Sequence, residues 1–121
     1  MTSTDGIYID GKCIDTGDDS GYYSAKTILL NKEVEAAVLE TARGGIIKNG
    51  LAYDVADVAV LTNITEDHLG LNEVNSIEDL AFVKSLVVEA VKEEGYAVIN
   101  ADDKYSRYIL PRIKCRKIYF S

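Results

Sequence analysis

Residues 57–70 read "DVAVLTNITEDHLG", and the fold turns on how this stretch is read. It opens as an unbroken apolar run, Val58-Ala59-Val60-Leu61, and then changes abruptly to polar and small residues. A continuous β-prone run of this length fits a strand of a parallel sheet covered on both faces better than a half-exposed antiparallel strand. Three other runs follow the same rule: "VEAAVLETA" (34–42), "YAVINADD" (96–103) and "KIYFS" (117–121). Helical stretches lie between some of them, so the expected class is α/β, a mostly parallel sheet flanked by helices.

The flanking segments add detail. "GIYIDGKCID" (6–15) alternates around Asp10-Gly11, the strongest short hairpin signal, and predicts a small β-hairpin near the start. Ser24 is the expected cap of a short helix, "AKTILLN" (25–31). Ser76 followed by Asp79 is close to a capping box for the longest helix. That helix is expected over "IEDLAFVKSLVVEAVKEEG" (77–95), with Gly95 as its C-terminal stop. Ile77, Leu80, Ala81, Val87, Val88 and Val91 fall on one face, with Lys84 in its centre. Phe82 and Leu86 lie off that stripe.

The whole chain has 121 residues, enough for one core, and is 47% hydrophobic and 27% charged. It has no run of 18 apolar residues and no basic, apolar leader, so neither a membrane span nor a secretory signal is expected. Cys13 and Cys115 lack metal-type spacing and read as free thiols in a reduced cytosol. The formal charge is −7. All 20 acids lie in residues 1–103 with 7 of the 13 bases, whereas residues 104–121 carry the other 6 bases and no acid. An acidic body is a poor polyanion binder, so the basic end reads as solvated Lys and Arg around a strand rather than a nucleic-acid surface.

In parallel α/β sheets, ligands bind beyond the carboxyl ends of the strands. Three such endings carry candidate chemistry. In "TEDHLG" (65–70), His68, the only histidine, follows Glu66 and Asp67. A neutral imidazole oriented by an adjacent acid suits a metal ion; the plain alternative is that Asp67 and His68 start and cap a loop. In "LETARGGI" (39–46), Glu40 closes an apolar run, and a cation would relieve the cost of burying its carboxylate; the alternative is solvation or pairing with Arg43. In "INADD" (99–103), Asn100, Asp102 and Asp103 are suited to a base edge or ribose hydroxyls, or else to capping the next helix. Lys84 must carry its ammonium to water, find an anion such as Asp67, or face a site. There is no G-x-x-x-x-G-K-[ST] loop and no Ser/His/Asp or Cys/His arrangement.

Taken together, "TSTDGIYIDGK", "LETARGGI", "TNITEDHLG" and "INADD", in this order and at these intervals, resemble the Mur ligase family, over nearly the whole chain. The resemblance implies a central, ATP-binding domain of the P-loop type, truncated at its N-terminus. It also implies an ATP-dependent enzyme that activates a carboxylate as an acyl phosphate, which an amine then attacks. Within the family the motifs are most similar to a branch that adds arginine to the aspartate side chain of a growing Asp-Arg polymer. The resemblance implies ATP and Mg²⁺ as cofactors. Glu40 and His68 match positions that hold Mg²⁺, and Asp67 the neighbour that orients His68. Thr4 and Asp5 lie in the loop near the phosphates, and Asn63, Asn100, Asp102 and Asp103 belong to the nucleotide site. Lys84 resembles a lysine that many members carry as a carbamate holding a second Mg²⁺, although they often have a tyrosine where this chain has Leu80.

By the same resemblance, residues 1–121 are a partial central domain lacking the phosphate-binding loop and a C-terminal domain. Such a piece is expected in the cytoplasm, inactive alone and completed by the remaining domains of its enzyme, with no membrane or nucleic-acid partner. Exposed strand edges make homo-oligomers of the isolated piece expected as well. The competing readings are a non-catalytic binding or assembly module on the same fold, and a peptidoglycan-type or folylpolyglutamate-type ligase.

Overall fold

The computed structural model describes residues 1–3, 5–18, 21–42, 46–47, 49–64 and 77–121, apart from the side chain of Ile77. They form two compact units, Met1–Tyr53 and Asp54–Ser121.

In the first unit, β1 (Thr2–Ser3), β2 (Gly6–Ile9) and β3 (Lys12–Thr16) make an antiparallel sheet in that order. Ile9 faces Lys12, so the turn between β2 and β3 is the two residues Asp10 and Gly11, at φ 51° and 75°. Positive φ at both positions is what a type I′ hairpin turn requires, and Asp-Gly supplies it at least strain. Helix α1 (Tyr22–Leu29) buries Ala25 and Ile28. It is capped by the backbone of Gly21, and Ser24 lies inside its first turn rather than at the expected cap position.

The run "VEAAVLETA" is not the expected strand. It makes one parallel bridge, Leu39 to Thr2, through Thr2 N–H to the Val38 carbonyl (3.0 Å) and Glu40 N–H to the Thr2 carbonyl (3.0 Å). A strand extends only as far as a partner offers amides and carbonyls, and β1 is two residues long. Val38 is left 69% exposed.

The second unit holds the parallel sheet: β4 (Ala56–Leu61), β5 (Val91–Asn100) and β6 (Arg116–Phe120), in the order β4-β5-β6. Helix α2 (Ile77–Glu89) connects toward β5, and two 3-10 turns, Ser106–Tyr108 and Leu110–Arg112, lead to β6. Leu80, Ala81 and Val88 of α2 pack with Ala59, Leu61, Ala97 and Ile99 of the sheet and with Ile109 and Ile113. The other sheet face departs from the expectation of cover on both sides. Val60, Val98 and Ile118 are in register, and Val60 and Ile118 are 54% and 46% exposed.

Helix α2 also ends six residues short of Gly95. The Ala56 amide takes the Ala90 carbonyl (2.8 Å), Val91 pairs with Ala56, and the chain is claimed by the sheet although the helical pattern continues. Ser76, the expected cap, lies outside the described residues.

One side chain unremarked in the sequence ties α2 to the segment before β6. Arg112 donates from Nη1 to the Ser85 hydroxyl (3.0 Å), lies 3.5 Å from a Glu89 carboxylate oxygen, and stacks over Phe82 at 4.4 Å. Ser85 is fully buried and itself donates to the Phe82 carbonyl. Replacing Arg112 with alanine is expected to cost about 2 kcal/mol, mainly the charge-assisted hydrogen bond and the packing on Phe82. The half-exposed ion pair adds little. Lysine, lacking the planar fork, should recover less than half. Urea unfolding of the three proteins measures this, and an unchanged midpoint for Arg112→Ala would contradict it.

Candidate functional site

The carboxyl ends of β4 and β5 lie side by side because the strands are parallel and in register from Val58–Tyr96 to Leu61–Ile99. Residues 62–64 leave β4, and Asn100 closes β5. Between them is an open depression of about 480 Å³ lined by Asn63, Ile64, Asn100, Asp102, Asp103, Lys104 and Tyr105. This is where a parallel sheet is expected to receive a ligand.

A dense set of hydrogen bonds shapes its walls. The Asn100 amide donates to the Thr62 carbonyl (2.9 Å), and its oxygen accepts from the Asp102 backbone amide (2.9 Å). Asp103 accepts from the backbone amide of Ile64 with one carboxylate oxygen and from that of Tyr105 with the other (2.9 Å for Tyr105). The Ser106 hydroxyl donates to the Asn100 carbonyl (3.2 Å). Lys84 reaches from α2 and donates to the Asn63 carbonyl (2.9 Å). An ammonium and a carbamate nitrogen both keep an N–H able to make this last bond.

Of the residues singled out in the sequence, Asn63, Asn100, Asp102 and Asp103 therefore meet around one depression, and Lys84 is joined to it through Asn63. The capping alternative is not met: Tyr105 is the cap residue of the 3-10 turn and carries no side-chain cap bond. Asp103 lies two residues earlier, where its carbonyl accepts from the Ser106 amide (3.1 Å) and its carboxylate from the Tyr105 amide (2.9 Å).

Asp5 and Glu40 belong to the first unit. The Asp5 amide donates to the Ser3 hydroxyl (3.1 Å). Glu40 is exposed, so relief of a buried carboxylate does not argue for a cation there. Its donor chemistry still suits one, since an accessible carboxylate is the oxygen ligand Mg²⁺ takes. Thr4, Asp67 and His68 lie outside the described residues. Among the described residues, no group of three or more His, Cys, Asp and Glu side chains is arranged to hold a metal ion.

Sequence reasoning missed Lys104 and Tyr105. The Lys104 ammonium lies 4.9 Å from the centre of the Tyr105 ring, and that ring stacks on Tyr108 with centroids 6.3 Å apart. Tyr105 also packs against the core, so it builds the wall of the depression, and Lys104 brings a positive charge to its rim. The signal was an aromatic residue two places after an acid pair at a strand end.

A parallel sheet with helices packed on it and an amide-and-carboxylate depression beyond its strand ends defines an α/β domain. The Mur ligase middle domain matches it over residues 1–121, and the chain belongs to that family.

The chain is 50% identical over 120 residues to the cyanophycin synthetase of Synechocystis sp., covering 99% of this chain and 14% of that protein. It is 48% identical to the cyanophycin synthetase of Crocosphaera subtropica over the same share. It is 31% identical over 91 residues to the UDP-N-acetylmuramoyl-L-alanyl-D-glutamate–2,6-diaminopimelate ligase of Chlorobaculum tepidum, covering 75% of this chain and 18% of that enzyme. The chain thus spans about 14% of the length of the cyanophycin synthetases it matches. No helix among the described residues is long and apolar enough to cross a membrane.

Proposed function

We propose that these residues are the central, ATP-binding part of a cytoplasmic ATP-dependent amide ligase of the cyanophycin synthetase kind. The reaction activates the side-chain carboxylate of aspartate on a growing Asp-Arg polymer as an acyl phosphate. The arginine amine then attacks, and phosphate leaves. The observation that carries the reading is the convergence of Asn63, Asn100, Asp102 and Asp103 on one depression at the carboxyl ends of β4 and β5. The 50% identity to a cyanophycin synthetase supports this substrate class.

Phosphoryl transfer asks a protein for positioning and charge neutralisation more than for a nucleophile, which suits a site without one. The depression takes the nucleoside, with Tyr105 in its wall and the Asp102 carboxylate as an acceptor for hydroxyl groups. Lys104 supplies positive charge at its rim. By the family resemblance, Glu40 and His68, with Asp67 orienting the imidazole, are the residues that would hold Mg²⁺, and Thr4 and Asp5 would serve the phosphates. The metal, when bound, neutralises charge on the transferring phosphoryl group. The 121 residues alone are proposed to be inactive, and the remaining domains of the ligase are their first partners.

A longer protein containing this chain should release ADP only when ATP, arginine and an Asp-Arg primer ending in an aspartate not yet joined to arginine are all present. ADP release with a UDP-linked muramoyl peptide instead would favour the peptidoglycan-type reading, which the 31% identity to the Chlorobaculum tepidum ligase keeps as the second choice. Nucleotide binding without any turnover would favour the non-catalytic module.

A further inference from the structure

The polar residues after β5 divide into two kinds. Asp103 commits both carboxylate oxygens to backbone amides, one in Ile64 and one in Tyr105. Asn100 holds the Thr62 carbonyl, and Lys84 holds the Asn63 carbonyl. Three consecutive residues after β4 are thereby gripped through their backbone by side chains from three places: the end of β5, the turn after it, and α2.

Ile64 is 2% exposed, so its amide needs a protein partner, and Asp103 is the one it has. Charge-assisted bonds of this kind are roughly twice as strong as neutral ones. Asp102, by contrast, is exposed on the depression.

Resting on the ATP-ligase reading above, we propose that Asp103 is a positioning residue and not a nucleotide ligand. Together with Asn100 and Lys84 it forms a three-point clasp that locks the exit of β4 against the end of β5, and so sets the shape of the nucleotide depression.

Two variants separate the roles. Asp103→Ala removes both acceptors. Asp103→Asn keeps one and sets an N–H₂ against the other amide. Amide hydrogen exchange of Ile64 and Tyr105 is measured in the 121-residue chain, and kcat and KM for ATP are measured in the full-length ligase. In Asp103→Ala the two amides should exchange roughly 10- to 100-fold faster, the loss of a charge-assisted bond. Amides of Leu80 and Val88 in α2 should be unchanged. The kcat should fall about tenfold with KM for ATP changed less than about threefold, as for a misplaced rather than a missing contact. Asp103→Asn should lie between, and carries the test if the alanine variant fails to fold. A tenfold rise in KM for ATP with Ile64 still protected would overturn the proposal. A wild-type ligase without ATP-dependent activity would sink the functional reading, while the exchange of Ile64 would still decide for or against the clasp.

Discussion

Gly95→Ala is expected to destabilise residues 54–121 by about 3 kcal/mol or more, a large part of a domain's total stability. A β-carbon at this position would stand 2.2 Å from the Asp57 carbonyl oxygen and 2.6 Å from a Val91 methyl. The methyl can rotate away, but the carbonyl cannot. It sits where the β4–β5 register shifts between Ala56 and Val58, and moving it would disturb the pairing on either side. Asp57 is also paired through its side chain with Lys92 of β5 (2.7 Å). Glycine is needed here for close backbone approach at an irregular point in a strand, not as the helix stop expected from sequence. A urea midpoint for Gly95→Ala close to that of the wild type would show that the two strands do not approach as described.

In a full-length ligase of the proposed kind, Glu40→Ala is expected to lower kcat by roughly 10²- to 10³-fold, the usual cost of losing one preorganised charge-stabilising contact. The reasoning is chemical. Glu40 is an exposed carboxylate held by its backbone against Thr2, so it can offer oxygen to a hard cation without first breaking into a core. If it serves Mg²⁺, the defect should be largest at low Mg²⁺ and shrink as Mg²⁺ is raised. Glu40→Gln, which keeps the shape but not the charge, should resemble alanine. Activity within about threefold of the wild type for both variants would remove Glu40 from the metal site, because losing one charge-stabilising contact typically costs about 10²- to 10³-fold.

How much of this was legible in the sequence depended on how local the deciding interaction was. The hairpin was legible because Asp10 and Gly11 determine it alone. Strands β4, β5 and β6 were legible as apolar runs with polar endings, and so was the place of the depression beyond them. The end of α2 was not, because Ala90 and Val91 are drawn away by Ala56, some 35 residues earlier in the chain. "VEAAVLETA" has strand composition but finds only Thr2 to pair with. Asp103 read as a binding or capping group, and its bond to Ile64, 39 residues away, could not be inferred from "NADD". Arg112 drew no attention for the same reason, since Ser85 is its partner only in three dimensions.

The central claim is that this domain serves carboxylate activation through an acyl phosphate. The most direct measurement uses an Asp-Arg primer ending in an aspartate not yet joined to arginine, with ¹⁸O in both oxygens of that side-chain carboxylate, together with ATP, Mg²⁺, arginine and the full-length ligase. The account predicts one ¹⁸O in the released phosphate for each amide formed, with ADP as the other product, because the carboxylate oxygen leaves with the phosphoryl group. Amide formation with unlabelled phosphate, or with AMP and pyrophosphate in place of ADP, would contradict it.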